Sequence, residues 1–339
     1  IQREKFNWGS KKAEPSLFEI ISLIEGIRYQ YGFVTNDELF LEEWLYAWPS
    51  GRKQTWFERD KDQFKFGDKF PGENRLIEKL TRPNALYLSA AVQNKHPGLM
   101  SIYRMFSRLL LINVSGQNEN GIQLKNSAHW LEQKMGKGAL AQLKLFAGET
   151  EKEKNLEAFR KLLQEADIGI VDFKIENSED DKTGRPKIMV QHQFSGEEAW
   201  LPLKEESQGT LTLFRMAPFL LDLLSTGGVV VIDELESSLH PVLAFKIVNL
   251  FNHPETNPKN AQLIFTTHDT NLLGTLMGEP ALRRDQVWFT EKDKEGSTRL
   301  YPLTDYKPRK AENLERGYLQ GRYGAIPFIG DLFKAKEKE

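Results

Sequence analysis

The run GGVVVIDELESSLHP, from Gly227 to Pro241, constrains the fold more than any other stretch of this chain. Val229 to Ile232 shows no alternation with polar residues, which predicts a strand buried on both faces of a parallel sheet. Asp233 and Glu234 follow where that strand ends. In open α/β sheets ligands bind off the carboxyl ends of strands, so a metal ligand and a general base belong at these two positions. Taken alone, the pattern equally suits an apolar strand running into a solvated acidic loop.

Two neighbouring stretches add to it. Ser207 is a good N-cap, and the helix behind it carries Leu211, Leu213, Phe214, Met216, Phe219, Leu220 and Leu223. Ser207-Gln208-Gly209-Thr210 therefore opens a helix. Free N–H groups and the positive end of the dipole favour an anion there, and Gly209 lets it approach the backbone. A plain N-cap is the simpler reading of these four residues in isolation. The second strand, Gln262 to Thr267, ends in Thr266-Thr267-His268-Asp269 and repeats the logic of the first, with an apolar run below and an imidazole at the carboxyl end. Between them, Pro241 suits the first turn of a helix carrying Leu243, Phe245, Ile247, Val248 and Phe251. That leaves Glu236-Ser237-Ser238 in a short polar loop.

The N-terminal part reads differently. Leu17 to Trp48 predicts an antiparallel meander with turns at Gly26 and Thr35-Asn36-Asp37, followed by a pair over Gln54 to Arg59 and Gln63 to Phe66. Asn84 to Gln93 is an apolar segment ending in a lone amide, and Gln93 is a candidate sensor of a metal-bound phosphate. Helical spacing is expected over 99–113, 128–147 and Glu151 to Ala166, where the stripe Leu156, Phe159, Leu162, Leu163 reads as core. Ile168 to Glu176 and Lys187 to Phe194 predict strands flanking a loop with the acidic run Glu179-Asp180-Asp181. His192 has no companion at ligand spacing. Gln286 to Glu291 and Thr298 to Leu303 predict a hairpin, and the segment after Tyr306 a helix packed back on the sheet.

Composition limits the function classes. Lys and Arg number 46 against 48 Asp and Glu, a balance that offers no general nucleic-acid or membrane surface. Cysteine is absent, which removes disulfides and thiolate metal sites, and a cytoplasmic location is the expectation. No apolar run of spanning length occurs, so no membrane partner is expected. The start IQREKFNWGS is not a signal peptide and has no leading methionine, so an N-terminally truncated chain is expected.

ESQGT, VVVIDELESSLHP and FTTHD resemble the signature, the Walker B strand with D-loop, and the H-loop of ABC-type ATPases, in the subgroup of RecF, SMC and overcoming-lysogenization-defect proteins. NALYLSAAVQN, LRRDQVWFTEKD and ENLERGYLQGRYGAIPF are similar to compact bacterial AAA-family ATP-binding proteins, several of which are ATPase partners in phage-defence gene pairs. The resemblance implies an α/β ABC-type P-loop NTPase head: a mixed or parallel sheet with flanking helices, an antiparallel β lobe and a helical insertion. Its implied divisions are 1–95 for the β lobe, 96–205 for the insertion and strand pair, 206–306 for the motif-bearing core, and 307–339 for a C-terminal helix and tail. It makes Asp233 the Mg²⁺ partner, Glu234 the base that orients water, and His268 a contact of the γ-phosphate of ATP. Ser207, Gly209 and Thr210 would bind ATP held by a second subunit, with Glu236 to Ser238 lining the same interface of a twofold homodimer.

One departure stands out. No GxxxxGK[ST] loop occurs in the 339 residues: GSKK at Gly9 and GKGA at Gly136 lack its spacing and terminal hydroxyl. The sequence-based expectation is an ATP-driven switch controlling an effector protein, with this chain alone binding nucleotide poorly. The alternatives are a DNA-gripping head, which the balanced charge does not favour, and a noncatalytic scaffold, which needs none of Asp233, Glu234 and His268.

Overall fold

The computed structural model describes residues 3–113, 149–166, 170–176, 187–194, 197–309 and 311–326. The helix expected over 128–147, the acidic run Glu179-Asp180-Asp181 and the side chain of Leu156 lie outside the described residues. The chain divides into two compact units, residues 1–108 with 290–300, and residues 109–289 with 301–339.

In the first unit the expected meander forms. β1 (Ser16–Ile24), β2 (Ile27–Thr35), β3 (Phe40–Trp48), β4 (Gln54–Asp60) and β5 (Gln63–Phe66) pair antiparallel in chain order. Glu25 and Gly26 join the first two with φ of 51° and 78°, and Ile24 faces Ile27 across the turn. Two positive φ values in a two-residue loop match the right-handed twist of the flanking strands. One face of the sheet buries Tyr29, Tyr31, Leu45 and Phe57 with Ile77 of α1 (Asn74–Leu80), Tyr87 of α2 (Tyr87–Gln93), and Ile102 of α3 (Met100–Ser107).

The second unit holds a parallel sheet of β6 (Leu109–Asn113), β10 (Val229–Asp233) and β11 (Gln262–Phe265), in the order β11-β10-β6. β6 corrects the helical expectation for 99–113. Helix α3 stops at Ser107, and LLLIN runs beside β10 with Leu111 facing Val231. A short apolar run fits either periodicity, and pairing decided it. The strand expected to be buried on both faces is also corrected: Val230 and Ile232 are fully buried, whereas Val229 and Val231 are half-buried. On that second face Leu111 is 70% and Ile264 56% exposed.

The buried face packs on α5 (Gln208–Thr226) and α6 (Pro241–Asn252), through Leu213, Phe214, Ala217, Leu220, Ile247 and Val248. An antiparallel sheet of β7 (Ile170–Glu176), β8 (Lys187–Phe194) and β9 (Glu197–Pro202) extends this core together with α4 (Glu149–Ala166). Phe159, Phe173 and Phe214 meet edge to face at 5.0–5.6 Å between ring centroids, the favoured geometry for aromatic quadrupoles. β7 and β8 fall where expected. β9 escaped notice because it opens on Glu197-Glu198. The hairpin is β12 (Trp288–Lys292) with β13 (Thr298–Pro302), and α7 (Leu314–Leu319) follows it. Leu314 and Tyr323 pack on Phe289, Tyr301 and Leu303, and Glu315 of the C-terminal helix accepts from Thr270 Oγ1, just after β11, at 3.1 Å.

Candidate functional site

β10 ends at Asp233, and the chain then turns through Glu234 at φ 53°, a left-handed conformation uncommon for a residue with a side chain. The neighbouring strand end holds it there. Thr266 donates its backbone N–H to the Ile232 carbonyl at 3.0 Å and accepts from Leu235 N–H at 3.1 Å. Its hydroxyl accepts from the Glu234 N–H at 2.8 Å and lies 2.6 Å from Asp233 Oδ1. Leu235 and Leu239 are buried and pin the loop to the core. Ser237 N–H bonds back to the Glu234 carbonyl at 2.8 Å, and Ser238 takes φ 63°.

His268 follows β11 on the same edge, with its side chain exposed. Its backbone N–H donates to Glu236 Oε1 at 2.7 Å. Asp269 Oδ1 accepts from the backbone and the side-chain nitrogen of Asn271 at 2.9 and 2.6 Å. The second oxygens of these two acids, Glu236 Oε2 and Asp269 Oδ2, are buried with no hydrogen-bond partner. Buried acceptors are ordinarily satisfied, so two orphans at one strand edge set it apart from the rest of the described interior. Asp233, Glu234 and His268 are thus joined through Thr266 and Glu236 into one cluster.

The helix start lies against the loop that follows Glu234. Ser207 caps α5, its Oγ accepting from Thr210 N–H at 3.1 Å and lying 2.9 Å from Thr210 Oγ1. A Cβ at Gly209 would come within 2.9 Å of the Ser238 carbonyl oxygen, so only glycine sits there without displacing the backbone of that loop. Ser207 and Gln208 are exposed, while Thr210 is buried with its hydroxyl on Ser207. Gln93 is the exposed last residue of α2 in the first unit. His192 is buried with Nε2 2.7 Å from Glu206 Oε1. Among the described residues no group of three or more His, Asp or Glu side chains could hold a metal, and no helix is long and apolar enough to cross a membrane.

The family model described as "AAA domain, putative AbiEii toxin, Type IV TA system" matches residues 2–274. The chain belongs to this AAA-domain family. No curated protein matches the AAA-domain chain. Among solved structures it is similar to an Smc head bound to the C-winged helix domain of ScpA, at 13% identity and a TM-score of 0.34 over 81% of this chain and 73% of that one. It is also similar to an Smc head domain with an extended coiled coil, bound to the C-terminal domain of ScpA derived from Pyrococcus furiosus. That likeness has 14% identity and a TM-score of 0.29 over 87% and 79% of the two chains.

Two parts of the AAA-domain cluster were not singled out from sequence: the hydroxyl of Thr266 and the carboxylate of Glu236 as the tie to His268. The signal for the first lies in register. Ile232 faces Phe265 across the parallel pair, which sets Thr266 beside Asp233, and no single-strand motif reports that alignment.

Proposed function

We propose that this AAA domain supplies the metal, base and sensor groups of an ABC-type ATPase that works as a dimeric switch. The observation supporting it most is the meeting of Asp233, Glu234 and His268 at the carboxyl ends of adjacent parallel strands, tied by Thr266 and Glu236. In this reading Asp233 holds Mg²⁺. The donor suits that ion: the exposed Asp233 carboxylate fits a cation usually bound by one or two carboxylates, waters and substrate phosphates. When bound, the ion would neutralise charge on the phosphate oxygens of ATP.

The Glu234 carboxylate has no hydrogen-bond or ion-pair partner among the described residues, which leaves it able to orient a water and take its proton. His268, exposed and with its backbone held by Glu236, would offer a ring N–H to the γ-phosphate. Ser207 and Gly209 open a helix whose free N–H groups meet the phosphates of ATP held by a second copy, and buried Thr210 keeps Ser207 in place. The seat of Gly209 on the Ser238 carbonyl presents the helix start and the loop from Glu236 to Ser238 as one surface for that copy. The sequence holds no GxxxxGK[ST] loop, so the cradle for the α and β phosphates is not among these motifs. By resemblance, closure of the dimer controls an effector protein in phage defence, in the cytoplasm.

Titration with Mg²⁺ and ATP tests the assignment. The 339-residue chain alone is expected to bind nucleotide weakly, and micromolar affinity with normal turnover would reveal a phosphate loop of another kind. With a phosphate loop present in the same polypeptide, Glu234→Gln is expected to accumulate as an ATP-bound dimer in sedimentation. A variant that stays monomeric with ATP and still turns over would overturn the switch.

A further inference from the structure

We infer that Thr266 is the positioning residue of the acidic site, orienting the Asp233 carboxylate and locking the left-handed turn at Glu234 through one hydroxyl. The inference deepens the ATPase reading, since it takes Asp233 as the cation's ligand and Glu234 as the base.

The hydrogen count carries the argument. A threonine hydroxyl has one proton and two lone pairs. Glu234 N–H can only donate, so at 2.8 Å it occupies a lone pair of Thr266 Oγ1. Asp233 Oδ1 can only accept when ionised, so the hydroxyl proton points to it across 2.6 Å. The direction of both bonds is therefore fixed. A short O–H···O⁻ contact is the strong, charge-assisted kind, and the β-branch of threonine limits χ1, so the oxygen is held in place without help from a further side chain.

The backbone of the same residue makes two more bonds to β10 and its turn, to the Ile232 carbonyl and from the Leu235 N–H. Four bonds from one residue thus define the end of the strand. With Oδ1 committed, Asp233 Oδ2 has no partner among the described residues while the side chain is exposed, and the plane of the carboxylate is set before any ligand arrives. Such preorganisation is what a cation site gains from a supporting hydrogen bond. Glu234 gains differently: its unusual φ is retained because its own N–H is tied to the same oxygen.

Thr266→Val keeps the shape and removes both side-chain bonds, whereas Thr266→Ser keeps the hydroxyl. Amide hydrogen exchange by NMR on the full chain reads the lock directly. In Thr266→Val the Glu234 amide is expected to exchange at least about tenfold faster, the scale of losing one hydrogen bond in a charge-assisted pair. The amides of Leu235 and His268, held by a backbone carbonyl and by Glu236, stay at wild-type rates, and Thr266→Ser restores Glu234. An unchanged Glu234 rate in Thr266→Val overturns the inference, and so does parallel opening of Leu235 and His268, which would mark general loosening.

A second measurement uses Mn²⁺ alone, without nucleotide, followed by electron paramagnetic resonance. Thr266→Val is expected to weaken Mn²⁺ binding by about tenfold and Thr266→Ser to recover it; wild-type affinity in the valine variant refutes the orienting role. Equal Mn²⁺ binding by wild type and Asp233→Asn would instead sink the ATPase reading, and the exchange rates would still decide the lock.

Discussion

Glu43 and Glu234 are the same residue type in two units and show opposite uses of a carboxylate. Glu43 stands in the middle of β3, fully buried. Its Oε1 accepts from Tyr31 Oη at 2.9 Å and Leu88 N–H at 3.1 Å, and its Oε2 accepts from Tyr87 N–H at 2.7 Å with Arg59 Nη1 3.6 Å away. It caps the start of α2 from a neighbouring strand. Arg59, equally buried, spends its other donors on the carbonyls of Lys61, Ala85 and Pro83. Every group there is answered by the chain itself, which leaves nothing for a ligand. Glu234 has a constrained backbone and an unanswered carboxylate, which is the reverse arrangement. A buried, saturated acid marks architecture, whereas the role proposed for Glu234 calls for an acid left partly exposed and unanswered on a fixed backbone.

The largest effect expected from breaking this contrast is at Glu43. Glu43→Ala leaves the Arg59 guanidinium buried without its counter-charge and two helix-start N–H groups without an acceptor, which should cost about 3–5 kcal/mol. Urea unfolding followed by tryptophan fluorescence measures it, and a loss below about 1 kcal/mol would show that the cluster is not structural. The pH dependence has a definite sign. Burial raises the Glu43 pKa from its ordinary value of 4.5, against the lowering pull of the Leu88 and Tyr87 N–H groups, Tyr31 and Arg59. The folded chain therefore holds this proton more tightly than the unfolded chain. Its contribution is complete below 4.5 and is lost as pH rises through the folded value. The stability of wild type minus that of Glu43→Gln should accordingly fall as pH rises across that window.

Next in size is Gly209→Ala. In a bare helix alanine is favoured over glycine by about 1 kcal/mol. Here the new Cβ would meet the Ser238 carbonyl oxygen at 2.9 Å, and a backbone oxygen yields less easily than a side-chain tip. A net loss of about 1–2 kcal/mol is expected from the overpacking. A gain in thermal stability would mean that the loop from Glu236 to Ser238 moves freely of the helix start, and that the two are not presented as one surface.

Periodicity made the larger elements legible from sequence. The meander, the cap at Ser207, Pro241 at the start of α6 and the hairpin each rest on local signals that the fold did not override. The failures share a cause. LLLIN satisfies helical and strand spacing alike, and only its parallel pairing with β10 decides between them. The C-terminal helix packs where Leu314 and Tyr323 meet the rings of Phe289 and Tyr301, a pairing that no single segment encodes. At the site, strand ends pointed to the neighbourhood of Asp233, Glu234 and His268. The cross-strand ties through Thr266 and Glu236 depend on register, which is a property of two segments and not of one.

The smallest expected effect is the sharpest test of the comparison. Glu234→Gln alters a side chain with no hydrogen-bond or ion-pair partner among the described residues and leaves its backbone bond to Thr266 intact. Glutamine inherits the same burden at φ 53°, so strain cancels between the two proteins. Stability should then change by no more than about 0.5 kcal/mol, the range of surface substitutions away from special features. Urea unfolding beside Glu43→Ala places both glutamates on one scale. A loss above about 1 kcal/mol at Glu234 would mean that its carboxylate also serves the fold, and the distinction between an acid kept for architecture and one kept for chemistry would fail at the residue where it matters most.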